Sequence, residues 1–262
     1  MRSQPLVAAL PRRDRLLIAG CIVLIFAIAW AYLVHLDRQM SSSVASDAAM
    51  AKMGMAVDAS WGASDVFFTF TMWAVMMLGM MSPSAAPLLL LFAETQARRA
   101  QGNVPMTVLA FGLGYITVWF GFSLSATLTQ WALHNAAFLS PTLAASSRWF
   151  GSAILIAAGA YQLTPAKREC LSHCQSPLGF LMSNWRDGPK GAFQMGLRHG
   201  RYCLGCCWAL MCVLFAVGVM NLAWVAALSV FILLERTGPI GARVARGGAL
   251  ILIAVGILFA VR

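Results

Sequence analysis

Two short segments, Cys170-Leu-Ser-His173-Cys174 and His199-Gly-Arg-Tyr-Cys203-Leu-Gly-Cys206-Cys207-Trp208, concentrate thiols and imidazoles in one part of the chain. They hold five of its seven cysteines and two of its four histidines. Thiolate and imidazole donors suit zinc, copper(I) or iron–sulfur chemistry and do not suit magnesium or calcium. On a helix each residue advances by about 100°. His199, Cys203, Cys206 and Cys207 then share one face, and Cys212 points to the opposite side. Cys170, His173 and Cys174 have i, i+3, i+4 spacing and share a face where their segment is helical. Ligand pairs on two such helices would build a tetrahedral site. A buried cysteine is ordinarily a small hydrophobe. Two clusters that each combine Cys with His at one-face spacing favour a ligand set instead. A closed zinc site that only ties two helices together stays open within that reading.

A second soft-donor pattern lies upstream. Met72, Met76 and Met80 repeat at i+4, with Met77 and Met81 as an adjacent stripe. Thioethers are uncharged ligands for copper(I) and could pass a soft cation through hydrocarbon without burying a charge. Methionine also fills irregular gaps in cores, and the relay and packing readings balance. Met40, Met50, Met53 and Met55 read as chance methionines of a polar outer loop. Asn221 and Glu235 flank a short apolar run. A carboxylate at a membrane boundary is a functional candidate, although pairing with Arg236 is its default. His35 and His134 read as interfacial. No phosphate-cradling glycine loop, nucleophile elbow or intramembrane carboxylate pair is present, which argues against an ATP-driven or proton-coupled pump.

The elements that must position these residues are membrane spans. The 262 residues are 60% hydrophobic and 11% charged, where a soluble domain carries about 25% charged residues. Mean hydropathy is +0.75. The expected fold is all-α, a polytopic transmembrane bundle of about seven spans. These run near Leu16–Leu36, Val66–Phe92, Pro105–Leu128, Arg148–Leu163, Cys203–Val219, Leu222–Leu234 and Arg246–Val261, the fifth and sixth being short for a bilayer. Residues 1–36 form a basic N-terminus and first helix, read as an uncleaved signal anchor. Residues 37–64 read as a polar outer loop, and residues 65–262 as the helical core. Pro83 and Pro87 should kink the second span or end it early. Gly112, Gly114, Gly121 and Ser123 suit close helix approach. Residues 164–202 read as the longest internal loop. The net charge of +10 lies mostly in alternate loops and sets topology rather than binding nucleic acid. It places the N-terminus and the cysteine loop on the cytoplasmic side of a bacterial inner membrane, where thiols stay reduced.

At these motifs the chain resembles a bacterial family of predicted metal-binding integral membrane proteins of unknown function, some of whose relatives are described as copper chaperones. The matching pieces are Met72-Trp73 through Met80-Met81-Ser-Pro83-Ser-Ala-Ala-Pro87, Tyr161-Gln162 through Pro177, Gly196 through Met211, Gly218-Val-Met220-Asn221-Leu-Ala-Trp224, and Glu235. The resemblance implies metal binding and a membrane location. The expected function is binding of a soft transition metal, copper first and zinc next, for transfer, transport or metalloenzyme assembly. Expected partners are the lipid bilayer and a metallochaperone or a metalloenzyme under assembly. Two other classes stay open. One is a membrane thiol–disulfide electron carrier using Cys203-x-x-Cys206 and Cys170-x-x-x-Cys174. The other is a structural subunit with a helix-stapling zinc site.

Overall fold

A computed structural model describes residues 11–52, 61–99, 103–136, 138 and 146–261. Among them the regular elements are helices: α1 (Arg12–Lys52), α2 (Ala63–Arg99), α3 (Val104–Asn135), α4 (Arg148–Gln162), α5 (Pro165–Gln175), α6 (Pro177–Asn184), α7 (Gly188–Val217), α8 (Leu222–Glu235) and α9 (Gly238–Val261). Five of these, α1, α2, α3, α7 and α9, are long and apolar enough to cross a membrane, and α8 is a shorter apolar helix. The fold is a polytopic transmembrane helix bundle. Helices suit that solvent because each satisfies its own backbone hydrogen bonds.

The bundle is built around α7. In its apolar window 61% of residues are buried, against 11% in α1 and 17% in α9. It packs on α3, α4, α5 and α8, while α4 pairs with α9, and α2 lies between α1 and α3. Two glycines let α3 and α7 touch backbone to backbone. A Cβ at Gly114 would strike the Phe193 carbonyl, and one at Gly196 the Phe111 carbonyl. Of the residues expected to serve close approach, Gly114 does so and Ser123 is fully buried. Gly112 and Gly121 face open space. Gly218 closes α7 with φ 105°, giving its N–H to Leu214, and Asn221 N–H bonds Gly218 O at 3.1 Å, the expected tight turn.

Three expectations are corrected. Among the described residues five helices, rather than about seven, are long and apolar enough to cross a membrane, and the fifth expected span is not short, because α7 begins at Gly188. The stretch 164–202 is helical rather than a loop. Pro165, Pro177 and Pro189 open α5, α6 and α7 at first-turn positions, where a missing N–H costs nothing. Finally, α1 runs on to Lys52, so residues 37–52 of the expected outer loop are helical. Residues 37–52 are rich in alanine and contain no glycine or proline, a good helical composition. Pro83 and Pro87 do not end α2, which continues to Arg99. Met53 and Met55 and the side chain of Met50 lie outside the described residues.

Candidate metal site

Helical phase turns the second cysteine motif inward as expected. Cys203, Cys206 and Cys207 are 0%, 2% and 1% exposed and share a buried cluster. Cys212 is only partly buried and lies outside it. The thiols of Cys206 and Cys207 both donate back to the Cys203 carbonyl, at 3.1 and 2.9 Å.

The first motif folds onto the second. α5 packs along α7, and Cys174 joins Cys203, Cys206 and Cys207 in one buried cluster. The hydrogen bond Cys174 gives Cys206, together with burial, pushes the Cys174 thiol well above its ordinary pKa. Burial likewise pushes up the Cys170 thiol. Gly205 makes the approach possible, because a Cβ there would stand 2.7 Å from Cys170 Sγ. The Tyr161 hydroxyl donates to the Gly205 carbonyl at 2.6 Å and pins α4 to the same spot.

The two histidines behave differently. His199 is 3% exposed, in an aromatic box whose Tyr115 and Phe180 rings are 5.7 and 5.2 Å away. Neither of its ring nitrogens has a hydrogen-bond partner. His173 stacks on Tyr202 at 4.1 Å, and its Nδ1 donates to the Glu169 carbonyl at 2.9 Å. Among the described residues, no three His, Cys, Asp or Glu side chains are arranged as a metal-holding group.

Two residues that the motifs did not single out complete the site. Arg236 follows α8, and its Nη2 donates to Cys203 Sγ at 2.8 Å and reaches Cys206 Sγ at 3.8 Å. Its Nε and Nη1 are buried with no partner. From α3, the Tyr115 hydroxyl lies 3.1 Å from Cys203 Sγ and 3.4 Å from the Met81 carbonyl. Glu235 does not pair with Arg236. It takes Lys167 Nζ at 2.8 Å on each carboxylate oxygen, with the two side chains 2% and 1% exposed. The signal was present in sequence: an arginine that follows an apolar helix and its terminal glutamate, with Gly238-Pro239 two residues on, has little chain with which to leave the bundle.

Met72, Met76, Met77, Met80 and Met81 are all buried, at 5% exposure or less, in the cluster that contains the α7 cysteines. An apolar cleft of about 430 Å³ between α1, α2 and α3 reaches Met77, Met81 and Tyr115. Asn221 lies apart from all of this. It caps α8, its side-chain oxygen accepting from Trp224 N at 3.4 Å.

The donor chemistry fits a soft cation. Buried thiols face each other from two helices, a guanidinium lies against them, and thioethers share the same core. Fold and site together define a multi-helix membrane protein with a buried thiol–guanidinium centre. The chain belongs to a family of copper chaperones: the PpoB2 family model, described as "Copper chaperone", matches residues 70–259. That stretch spans the chain from α2 into α9 and includes Met72, the thiols and Arg236. No curated protein and no solved structure matches the chain.

Proposed function

We propose that the protein binds copper(I) at the buried thiols of Cys203, Cys206 and Cys174 and passes it on within a bacterial inner membrane. The observation that carries this reading is the burial of Cys174 of α5 in one cluster with the α7 thiols, beside the Arg236 guanidinium 2.8 Å from Cys203 Sγ. Copper is cargo here. Cys203 and Cys206 each give up a proton to solvent, Cys206 turning from the Cys203 carbonyl to the metal, while Cys174 stays a neutral thiol donor. Two thiolates and one copper(I) leave a single negative charge, which Arg236 neutralises without a second buried anion. A divalent ion on the same two thiolates would leave the centre positive, so the charge balance favours copper(I) over zinc. Burial of uncompensated charge is costly, and this difference therefore acts as selection.

Cys170 and Cys207 flank the centre as exchange ligands. His199, with both nitrogens unpaired, is the nitrogen donor of the set. Met72, Met76, Met77, Met80 and Met81 share the buried cluster of the thiols, and in this reading their uncharged thioethers are the route by which copper(I) leaves the site. The acceptor is a metallochaperone or a metalloenzyme under assembly. The N-terminus and the thiol site face the cytoplasm in this reading, supported by the basic residues near that end of the bundle. Copper content of purified wild type against Cys203→Ser/Cys206→Ser tests it. Copper retained by the wild type and lost from the variant is the expected result, and equal near-zero copper in both would sink the idea.

A further inference from the structure

At the end of the bundle that carries α5, a cavity of about 280 Å³ opens between α4, α5 and α9. Gln162 and Lys167 contribute its buried wall, 3% and 1% exposed. Arg168 and Arg246 line it from exposed positions, and Gln175 lies between. No carboxylate lines it. Lys167 gives two N–H donors to Glu235, at 2.8 Å each, and a third is left over. Gln162 Nε2 approaches the same carboxylate, yet neither atom of its amide makes a hydrogen bond. Gln175 is engaged, its Nε2 donating to the Glu235 carbonyl at 2.8 Å. Arg168 and Arg246 have no ion pair among the described residues. The cavity therefore carries two uncompensated guanidinium groups and a buried, unsatisfied amide. Buried polar atoms are nearly always satisfied in folded proteins, so an orphan amide beside free cations marks the place of a polar ligand.

We propose that this cavity binds a phosphate group, either on the headgroup of an anionic phospholipid or as free inorganic phosphate. Arginine forks hold phosphate oxygens in bidentate fashion. Gln162 Oε1, buried without a partner, accepts from a phosphate or headgroup hydroxyl. The cavity lies where α4 ends and α9 begins, which is headgroup depth for spans of this length. Basic pockets between helices on the cytoplasmic side suit anionic lipids. The site is separate from the thiols and does not depend on copper.

The test uses the full chain, delipidated in detergent. One arm titrates inorganic phosphate by calorimetry. The other adds phosphatidylglycerol or phosphatidylcholine and counts retained lipid by native mass spectrometry. Each is repeated with Arg168→Gln/Arg246→Gln, whose two exposed positions leave packing intact, as thermal unfolding will verify. Wild type is expected to bind phosphatidylglycerol or inorganic phosphate saturably, at least tenfold more tightly than the variant. Phosphatidylglycerol that survives excess inorganic phosphate assigns the lipid headgroup. Displacement by inorganic phosphate, or binding of inorganic phosphate alone, assigns the free ion. Binding of neither by the wild type, or equal binding by wild type and variant, overturns the proposal.

Discussion

Arg236 Nη2 stands 2.8 Å from Cys203 Sγ, although the two residues are 33 positions apart in the chain. The contact joins the start of the α8–α9 connection to the middle of α7, the most buried helix. It gives the thiol cluster a fixed positive charge that no residue of either cysteine motif supplies.

Removing that charge should weaken copper(I) binding. Two unit charges 4 Å apart interact by about 4 kcal/mol at an effective dielectric of 20, and each 1.4 kcal/mol is tenfold. Arg236→Gln is therefore expected to weaken copper(I) affinity by about tenfold or more, and Arg236→Lys to recover part of the loss. Competition with a copper(I) chelator measures both. An unchanged affinity in Arg236→Gln would remove the guanidinium from the site.

Lys167 and Glu235 should matter for stability. Their ion pair is almost fully buried, and removing one partner of such a pair costs about 3–5 kcal/mol. Lys167→Met is expected to unfold at markedly lower temperature in detergent. Lys167→Met/Glu235→Leu, which leaves no orphan charge, should recover most of that. If the double variant is no more stable than the single one, charge burial is not the cause.

The two positions of the first motif should separate. Cys174 is buried in the cluster of the α7 thiols, while the His173 ring is taken up by Tyr202. Cys174→Ser is expected to lower copper(I) affinity severalfold, and His173→Ala to change it less than twofold. The same chelator competition decides, and equal losses would return His173 to the ligand set.

Much of this site was legible in the chain, and the reasons are geometric. Helix periodicity alone put His199, Cys203, Cys206 and Cys207 on one face and set Cys212 apart, because azimuth on a helix follows from spacing. The same rule grouped Cys170, His173 and Cys174. It could not show that His173 would turn to Tyr202, since that depends on a neighbour from another element. The docking of α5 on α7 was hidden in Gly205, whose role is to leave room for Cys170. Arg236 was read with Glu235 because they adjoin. The helix end sends their side chains to different partners, Cys203 and Lys167. The segment 164–202 read as a loop because it is polar and basic between apolar runs, whereas Pro165, Pro177 and Pro189 stand at helix starts.

The methionine stripe should affect movement rather than binding. Met77 and Met81 are buried, and the Tyr115 hydroxyl lies between Cys203 Sγ and the Met81 carbonyl. Leucine conserves their volume at a cost below about 1.5 kcal/mol. Met77→Leu/Met81→Leu is expected to keep the copper(I) affinity of the thiol site and to slow copper passage in proteoliposomes by about tenfold. Passage at the wild-type rate would reduce the stripe to packing.

The most direct measurement is copper X-ray absorption on the purified protein loaded with one equivalent of copper(I). The account predicts a monovalent edge and a first shell dominated by sulfur, lost when Cys203→Ser/Cys206→Ser is loaded in the same way. A shell of nitrogen and oxygen alone, or a sulfur shell unchanged in the variant, would contradict it.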